Sequence, residues 1–178
     1  MENSIRPAVR EDAEALAELV NSAYRGESSK KGWTTEADLL AGKRADRELI
    51  EGLVGDPASV VLLCVEDGRM VGCVHLKKRE GSAYLGLLTV RPDLQASGLG
   101  RRLLAAAEEW TVQRFGLGVI EMTVIRRRTE LIAWYVRRGY ADTGRRQPFP
   151  PEERLAVPKV EDLEMVVLAK TLGRENGK

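Results

Sequence analysis

Two glycines and two arginines stand close together in the segment of this chain that is richest in chemistry. In Leu87-Leu88-Thr89-Val90-Arg91-Pro92-Asp93-Leu94-Gln95-Ala96-Ser97-Gly98-Leu99-Gly100-Arg101-Arg102 an apolar run gives way to a short break, and Gly98 and Gly100 open an amphipathic stretch. Glycine inside a helix costs roughly 0.8–1 kcal/mol against alanine. Two of them in a first turn need a reason, and close approach of a ligand to bare backbone is one. Arg101 and Arg102 sharpen the point. The positive end of a helix macrodipole favours acidic residues, yet this helix opens with two cations. First-turn N–H groups, the dipole and two guanidinium groups together make an anion site. A plain strand-to-helix turn with solvated arginines uses the same residues.

Other reactive side chains are sparse. The lone histidine, His75, falls in a strand-like run and reads as a half-buried strand residue rather than a base. No His, Cys and Asp cluster has metal-ligand spacing, so no metal is expected. The serines fall in loops without a nucleophile-elbow motif, which argues against a covalent acyl-enzyme. Arg126-Arg127-Arg128 forms a basic run at a strand end. It reads either as a solvated loop or as a place where one arginine meets an anionic ligand.

The elements that must position these groups follow from periodicity. Residues 5–9 read as a strand and residues 11–24 as an amphipathic helix, with Leu16, Leu19, Val20 and Ala23 at three- and four-residue spacing. A second helical region is predicted over residues 35–54, interrupted near Gly42, with Thr35 and Asp38 as a capped start and Asp56-Pro57 as its stop. Residues 60–65, 70–77 and 83–90 are β-branched or apolar runs separated by Asp67-Gly68 and Glu80-Gly81-Ser82, which predicts an antiparallel meander. A helix over 98–115 carries the stripe Leu99, Leu103, Ala106, Ala107 and Trp110. A strand at 119–125, a helix at 129–138 closed by Gly139, a strand at 140–144, a loop holding Pro148, Pro150 and Pro151, and a strand at 163–168 complete the chain. The order βααβββαβαββ predicts an α/β fold: one mixed, mostly antiparallel sheet with helices on both faces. Residues 1–172 make a single domain and residues 173–178 a frayed tail.

Gln95-Ala96-Ser97-Gly98-Leu99-Gly100 matches Q/R-x-x-G-x-G/A, and the chain resembles the GNAT superfamily of N-acetyltransferases, whose pyrophosphate signature this is. The dinucleotide fingerprint G-x-G-x-x-G has a different glycine spacing. Placement between a strand ending at Val90 and a long amphipathic helix agrees, and so does Tyr135-Val136-Arg137-Arg138-Gly139-Tyr140, similar to the family's Y-x-x-x-G-F/Y. The likeness runs from residue 5 to residue 172 and is densest over 83–140.

The resemblance implies acetyl-CoA as acyl donor and a primary amine as acceptor. It implies that Leu88, Thr89 and Val90 offer strand backbone to the pantetheine arm. Gln95, Ala96, Ser97, Gly98, Leu99, Gly100 and Arg101 would then cradle the pyrophosphate. Tyr135 takes the position of a tyrosine near the coenzyme A sulfur, where a phenol supplies a proton or hydrogen bond to the departing thiolate. Its alternative is a core aromatic. Tyr140 reads as a packing residue. Where many relatives keep an asparagine, seven residues before this tyrosine, Arg128 stands instead. A base is also required, because an ammonium must lose a proton before it attacks. Glu121 is the first candidate and Glu164 the second. Acceptor specificity is implied in the first two helices and their loop, where Trp33 and Arg44 suit a small substrate with a carboxylate, such as an amino acid; a polyamine is the other small acceptor. Two further classes share these residues: a protein lysine or N-terminal acetyltransferase, and a non-catalytic acyl-CoA sensor.

Composition bounds the rest. The chain has 178 residues, 43% hydrophobic and 31% charged, with a formal net charge of +1. That length suits one core, and the charge makes no case for nucleic acid or an anionic membrane as partner. There is no apolar segment of membrane-spanning length and no signal-peptide h-region. The two cysteines, Cys64 and Cys73, lie on the arms of the hairpin turning at Asp67-Gly68. Counting back from the turn sets Cys64 opposite Val71 and Cys73 opposite Leu62, on one sheet face and about 7–8 Å apart on a diagonal. That is too far for a relaxed disulfide. Both read as reduced thiols of a cytoplasmic protein, with a homodimer as the one oligomer to consider.

Overall fold

The computed structural model describes residues 3–25, 35–150, 156–161 and 163–173. Strands β1 (Asn3–Pro7), β3 (Ser59–Glu66), β4 (Arg69–Lys78), β5 (Ala83–Val90), β6 (Val119–Ile125), β7 (Ala141–Gln147) and β9 (Met165–Thr171) form one seven-stranded sheet in the order β1-β3-β4-β5-β6-β9-β7. Every neighbouring pair is antiparallel except β5 and β6. Helices α1 (Ala13–Tyr24) and α2 (Arg47–Gly55) pack on one face, where Leu16, Val20 and Ile50 meet Val61, Leu63 and Cys73. Helices α3 (Leu99–Gln113) and α4 (Thr129–Val136) cover the other, where Leu103, Ala107 and Leu131 meet Leu62, Leu76 and Met122. The expected mixed sheet with helices on both faces is therefore the fold. Among the described residues no helix is long and apolar enough to cross a membrane.

Local chemistry accounts for most boundaries. Asp67 and Gly68 both have positive φ (49° and 75°), the requirement of a two-residue hairpin turn between β3 and β4. Asp46 caps α2 by accepting a hydrogen bond from Leu49 N at 2.8 Å. Gly139, at φ 95°, turns the chain after α4.

Three expectations need correction. The helix predicted over residues 35–54 is only α2, and its cap is Asp46 rather than Thr35. Thr35 Oγ1 accepts from Ala37 N in a local turn instead. Residues 40–42 form strand β2, because Leu40 is pulled into a small core with Ile125, Leu163 and Met165 and Gly42 takes a left-handed φ of 83°. Its partner β8 (Ala156–Pro158) lies where a loop was expected. The cysteines are not on one sheet face. A register shift between Cys64 and Val65 places Cys64 opposite Gly72 and Cys73 opposite Leu63. Cys64 packs in the α3 core and Cys73 in the α1 core, so the bulge has turned one arm over.

The sheet opens where the site lies. Parallel β5 and β6 pair only at Ala83–Ile120 and Tyr84–Glu121, while β6 pairs with β9 along its whole length. A second bulge bends β5: Leu87 and Leu88 together face Val74, and Leu87 sits at φ 51°. The Leu87 carbonyl accepts from Thr89 Oγ1 at 2.9 Å and from Cys73 Sγ at 3.5 Å, which holds the bulge.

Candidate active site

The diverging strands leave a cleft of about 590 Å³ lined by Leu88 and Val90 of β5, the loop after it, α4, and Tyr24. The loop is shaped by its own bonds. Leu94 N donates to Arg91 O, Ser97 Oγ to Leu94 O at 2.5 Å, and Gln95 Nε2 back to Val90 O at 3.2 Å. Ala96 and Gly98 take positive φ (68° and 89°), so the chain enters α3 with Gly98 as a left-handed cap. The first bond inside the helix runs from Arg102 N to Gly98 O. The N–H groups of Leu99, Gly100 and Arg101 precede it and have no partner within α3. A Cβ on Gly98 would meet nothing within 4 Å, so open space lies beside it. One on Gly100 would lie 3.4 Å from the Trp134 ring, so its absence leaves the cleft wide between α3 and α4.

Cations gather at this end. Arg101, Arg137 and Arg138 all line the cleft. The Arg138 guanidinium lies 3.9 Å over the Trp134 ring and donates to Trp134 O at 2.9 Å. Burial, with Arg101 and Arg137 nearby, pushes its pKa down. Its Nε is buried without a hydrogen-bond partner. An orphaned donor among guanidiniums, beside free helix N–H groups and a glycine with open space, fits a bound phosphate.

A second cavity of about 100 Å³ lies behind, and Tyr24, Leu88, Leu131 and Tyr135 line both. Tyr135 stands at this junction, 4% exposed, with edge contacts to Trp134 and Tyr140. No described residue hydrogen-bonds its hydroxyl, which is thus available to a ligand. Burial, followed by Tyr24, raises its pKa far above that of a free phenol, so it stays protonated. The Tyr24 hydroxyl donates to the Leu88 carbonyl at the bulge, and burial pushes its pKa up to about 12.

The second cavity contains a buried ion network. Glu36 Oε2 meets Arg25 Nη2 at 2.9 Å and Nε at 3.0 Å, and Glu36 Oε1 meets Arg128 Nη1 at 3.3 Å. Arg128 lines the second cavity, while Arg126 pairs with Glu164 and Arg127 is exposed. Arg44 lines the same cavity, as do Tyr84 and Thr123, whose hydroxyls are 3.1 Å apart.

Several expected residues are placed otherwise. Glu121 lines neither cavity, and its carboxylate accepts from Arg145 at 2.6 Å. Glu164 also lies outside both. Glu36 is the only carboxylate among the described residues that lines the second cavity. His75 lines neither; it bonds Ser59 Oγ, and burial pushes its pKa down to about 4. The side chains of Thr89 and Leu99 are buried in the core, and Thr89, Ser97 and Leu99 are not among the residues that line the cleft. Trp33 lies outside the described residues. Tyr24, Glu36 and the role of Arg138 were missed from sequence. Tyr24 falls in phase with the apolar stripe of α1 and reads as core, and nothing local marks Glu36. Among the described residues no three His, Cys, Asp or Glu side chains are grouped to hold a metal ion.

The Acetyltransferase (GNAT) family model matches residues 13–140, a span from the start of α1 through α4. The chain belongs to the GNAT acetyltransferase family. Over 87 residues this GNAT chain is 38% identical to mycothiol acetyltransferase of Clavibacter sepedonicus, covering 49% of this chain and 28% of that protein. It therefore spans little more than a quarter of that relative. It is 37% identical over 117 residues to aminoglycoside N(6')-acetyltransferase type 1 of Stenotrophomonas maltophilia, covering 61% of this chain and 67% of that one. Its fold matches a GNAT family acetyltransferase from Elizabethkingia anophelis with acetyl-CoA bound, at TM-score 0.70 and 15% identity over 96% of this chain and 98% of that one.

Proposed function

We propose that the protein transfers the acetyl group of acetyl-CoA to a primary amine of a small molecule by direct attack. The observation that carries this reading is the junction at Tyr135, where a cleft lined by Arg101, Arg137 and Arg138 meets a small second cavity. In this reading Gln95, Ala96, Ser97, Gly98, Leu99, Gly100 and Arg101 receive the pyrophosphate through backbone N–H groups, with Arg101, Arg137 and Arg138 adding positive charge. Backbone of Leu88, Thr89 and Val90, displaced by the bulge, faces the pantetheine arm. The acceptor enters from the side of Tyr84, Thr123 and Arg44. Its nitrogen lone pair attacks the thioester carbon, an N–C bond forms, and the C–S bond breaks with its electron pair passing to sulfur. The Tyr135 hydroxyl gives that thiolate a proton or a hydrogen bond, and the proton that the nitrogen sheds as the amide forms restores the phenol or passes to the sulfur. The ammonium proton leaves to water, since Glu36 is held by Arg25 and Arg128, and Glu121 lines neither cavity.

The second cavity, about 100 Å³, is below the roughly 300–1,000 Å³ of sites for drug-sized ligands and suits a compact amine group. The names of two relatives, a mycothiol acetyltransferase and an aminoglycoside N(6')-acetyltransferase, support a small-molecule acceptor. The test is a panel of amines with acetyl-CoA, following release of the coenzyme A thiol. Turnover of small amines is the expected result. No turnover, together with no thermal shift at millimolar acetyl-CoA, overturns the reading.

A further inference from the structure

Parallel strands β5 and β6 part after Tyr84–Glu121, the last pair of their ladder. Beyond that point a side-chain bond spans the widening gap: Tyr84 Oη and Thr123 Oγ1 lie 3.1 Å apart across it. Both residues line the second cavity, so this bond forms part of the wall of the space that the diverging strands open.

The two hydroxyls are held in place by what surrounds them. The Tyr84 ring lies beside Gly86, where an added Cβ would come within 3.3 Å of it, and the Arg79 guanidinium lies 4.2 Å from the ring centroid. Thr123 sits in the middle of β6, opposite Val167 of β9. Neither hydroxyl has another hydrogen-bond partner among the described residues. Two hydroxyls carry two protons and four lone pairs. Their mutual bond uses one of each, which leaves one proton and three lone pairs for a ligand in the cavity.

Two oxygens at 3.1 Å can both accept from a single nitrogen. An unprotonated primary amine matches them, with two N–H groups and one lone pair. Once both N–H groups are engaged, the lone pair points away from the oxygens, as attack on a thioester requires. Tyr135 lines the same cavity, and after burial and Tyr24 the Tyr84 phenol is a further group that raises its pKa, so the two rings are within electrostatic reach.

We propose that Tyr84 and Thr123 form the acceptor-nitrogen site, each oxygen accepting one N–H of a primary amine while the lone pair faces the Tyr135 junction. This rests on the acyltransfer reading above, and it makes the two hydroxyls the source of selectivity for primary over secondary amines.

The test uses monoamines, so that a single nitrogen is read: n-butylamine, phenethylamine and β-alanine, each with its N-methyl homologue. Turnover is followed by thiol release with saturating acetyl-CoA, and kcat/KM is expressed per unprotonated amine. The parent protein is expected to favour each primary amine over its N-methyl partner by about 10-fold, because a secondary amine leaves one oxygen unpaired. Thr123→Val keeps the shape of the side chain and deletes the hydroxyl. It should lower kcat/KM by about 10-fold for the primary amine and by less for the N-methyl partner, bringing the ratio toward unity. A clash with the added methyl group would instead persist in the variant. Tyr84→Phe should act in the same way, and Thr123→Ser should hold the ratio near the parental one. The thermal shift given by acetyl-CoA should be the same in all of these proteins. Equal turnover of the paired amines by the parent overturns the proposal, and so does a ratio that neither Thr123→Val nor Tyr84→Phe changes. A parent that acetyl-CoA stabilises but that acetylates none of the amines overturns it as well. Absence of any acetyl-CoA shift instead marks failure of the acyltransfer reading itself.

Discussion

Arg128 Nη1 meets Glu36 Oε1 at 3.3 Å, an ion pair between residues 92 apart in sequence. It ties the residues just before β2 to the N-cap of α4, the helix that carries Tyr135. Both side chains are at most 10% exposed. A buried charge left without its partner costs about 3–5 kcal/mol. Arg128→Ala leaves Glu36 its bonds to Arg25, so its loss in urea denaturation should fall below that range yet exceed the change of less than about 0.5 kcal/mol expected of Arg127→Ala on the exposed neighbour. Equal effects would show that the pair holds nothing together.

Gly98 and Gly100 should tolerate no long side chain if the cleft receives a pyrophosphate. Gly98→Glu and Gly100→Glu put carbon and negative charge where the phosphate would lie. Acetyl-CoA at 100 times its dissociation constant should stabilise the parent protein by about 2.7 kcal/mol. Both variants should lose that shift while remaining folded by circular dichroism. Gly98→Glu should also start less stable, because φ 89° is a conformation that side chains resist.

Tyr135→Phe keeps the ring and its edge contacts with Trp134 and Tyr140 but deletes the hydroxyl. If that hydroxyl acts only as the C–S bond breaks, the loss falls on kcat, by about 10²-fold, the lower end for acid catalysis. The dissociation constant for acetyl-CoA and the melting temperature should stay as they are. Because burial raises the phenol pKa, the parent enzyme should show no loss of rate from this group as pH rises through its ordinary range near 10. An unchanged kcat in the Phe variant would return Tyr135 to a packing role.

His75 predicts how stability follows pH. Burial lowers its pKa from 6.5 to about 4, so the folded state prefers the neutral ring. Between those values the unfolded chain binds more protons than the native one, and stability therefore rises with pH. Its contribution is full above about 6.5 and is lost as pH falls toward 4, on the order of 3 kcal/mol in all. As the chain has one histidine, His75→Asn should flatten the stability profile between pH 5 and 7. A parent protein with a flat profile there would show that the ring protonates freely in the fold.

What the sequence determined by itself is local. The loop from Gln95 to Gly100 could be read because six consecutive residues, a preceding strand and a following helix all bear on one anion site. Tyr135 stood out through the likeness of its segment to the family's Y-x-x-x-G-F/Y, on a helix that Gly139 ends, and the alternation of strands and helices set the layers. What tertiary structure decided depends on contacts between distant segments. A one-residue bulge at Cys64 and Val65 sent two cysteines to opposite cores, and no periodicity announces a bulge. Leu40 left an expected helix for a strand because Ile125, Leu163 and Met165 offered it burial, which outweighs weak helix propensity. Tyr24 and Glu36 joined the site only through tertiary contacts, Tyr24 by bonding Leu88 at the β5 bulge and Glu36 by pairing with Arg128. Arg128 met its carboxylate only because the fold brought together two residues that sequence keeps 92 positions apart.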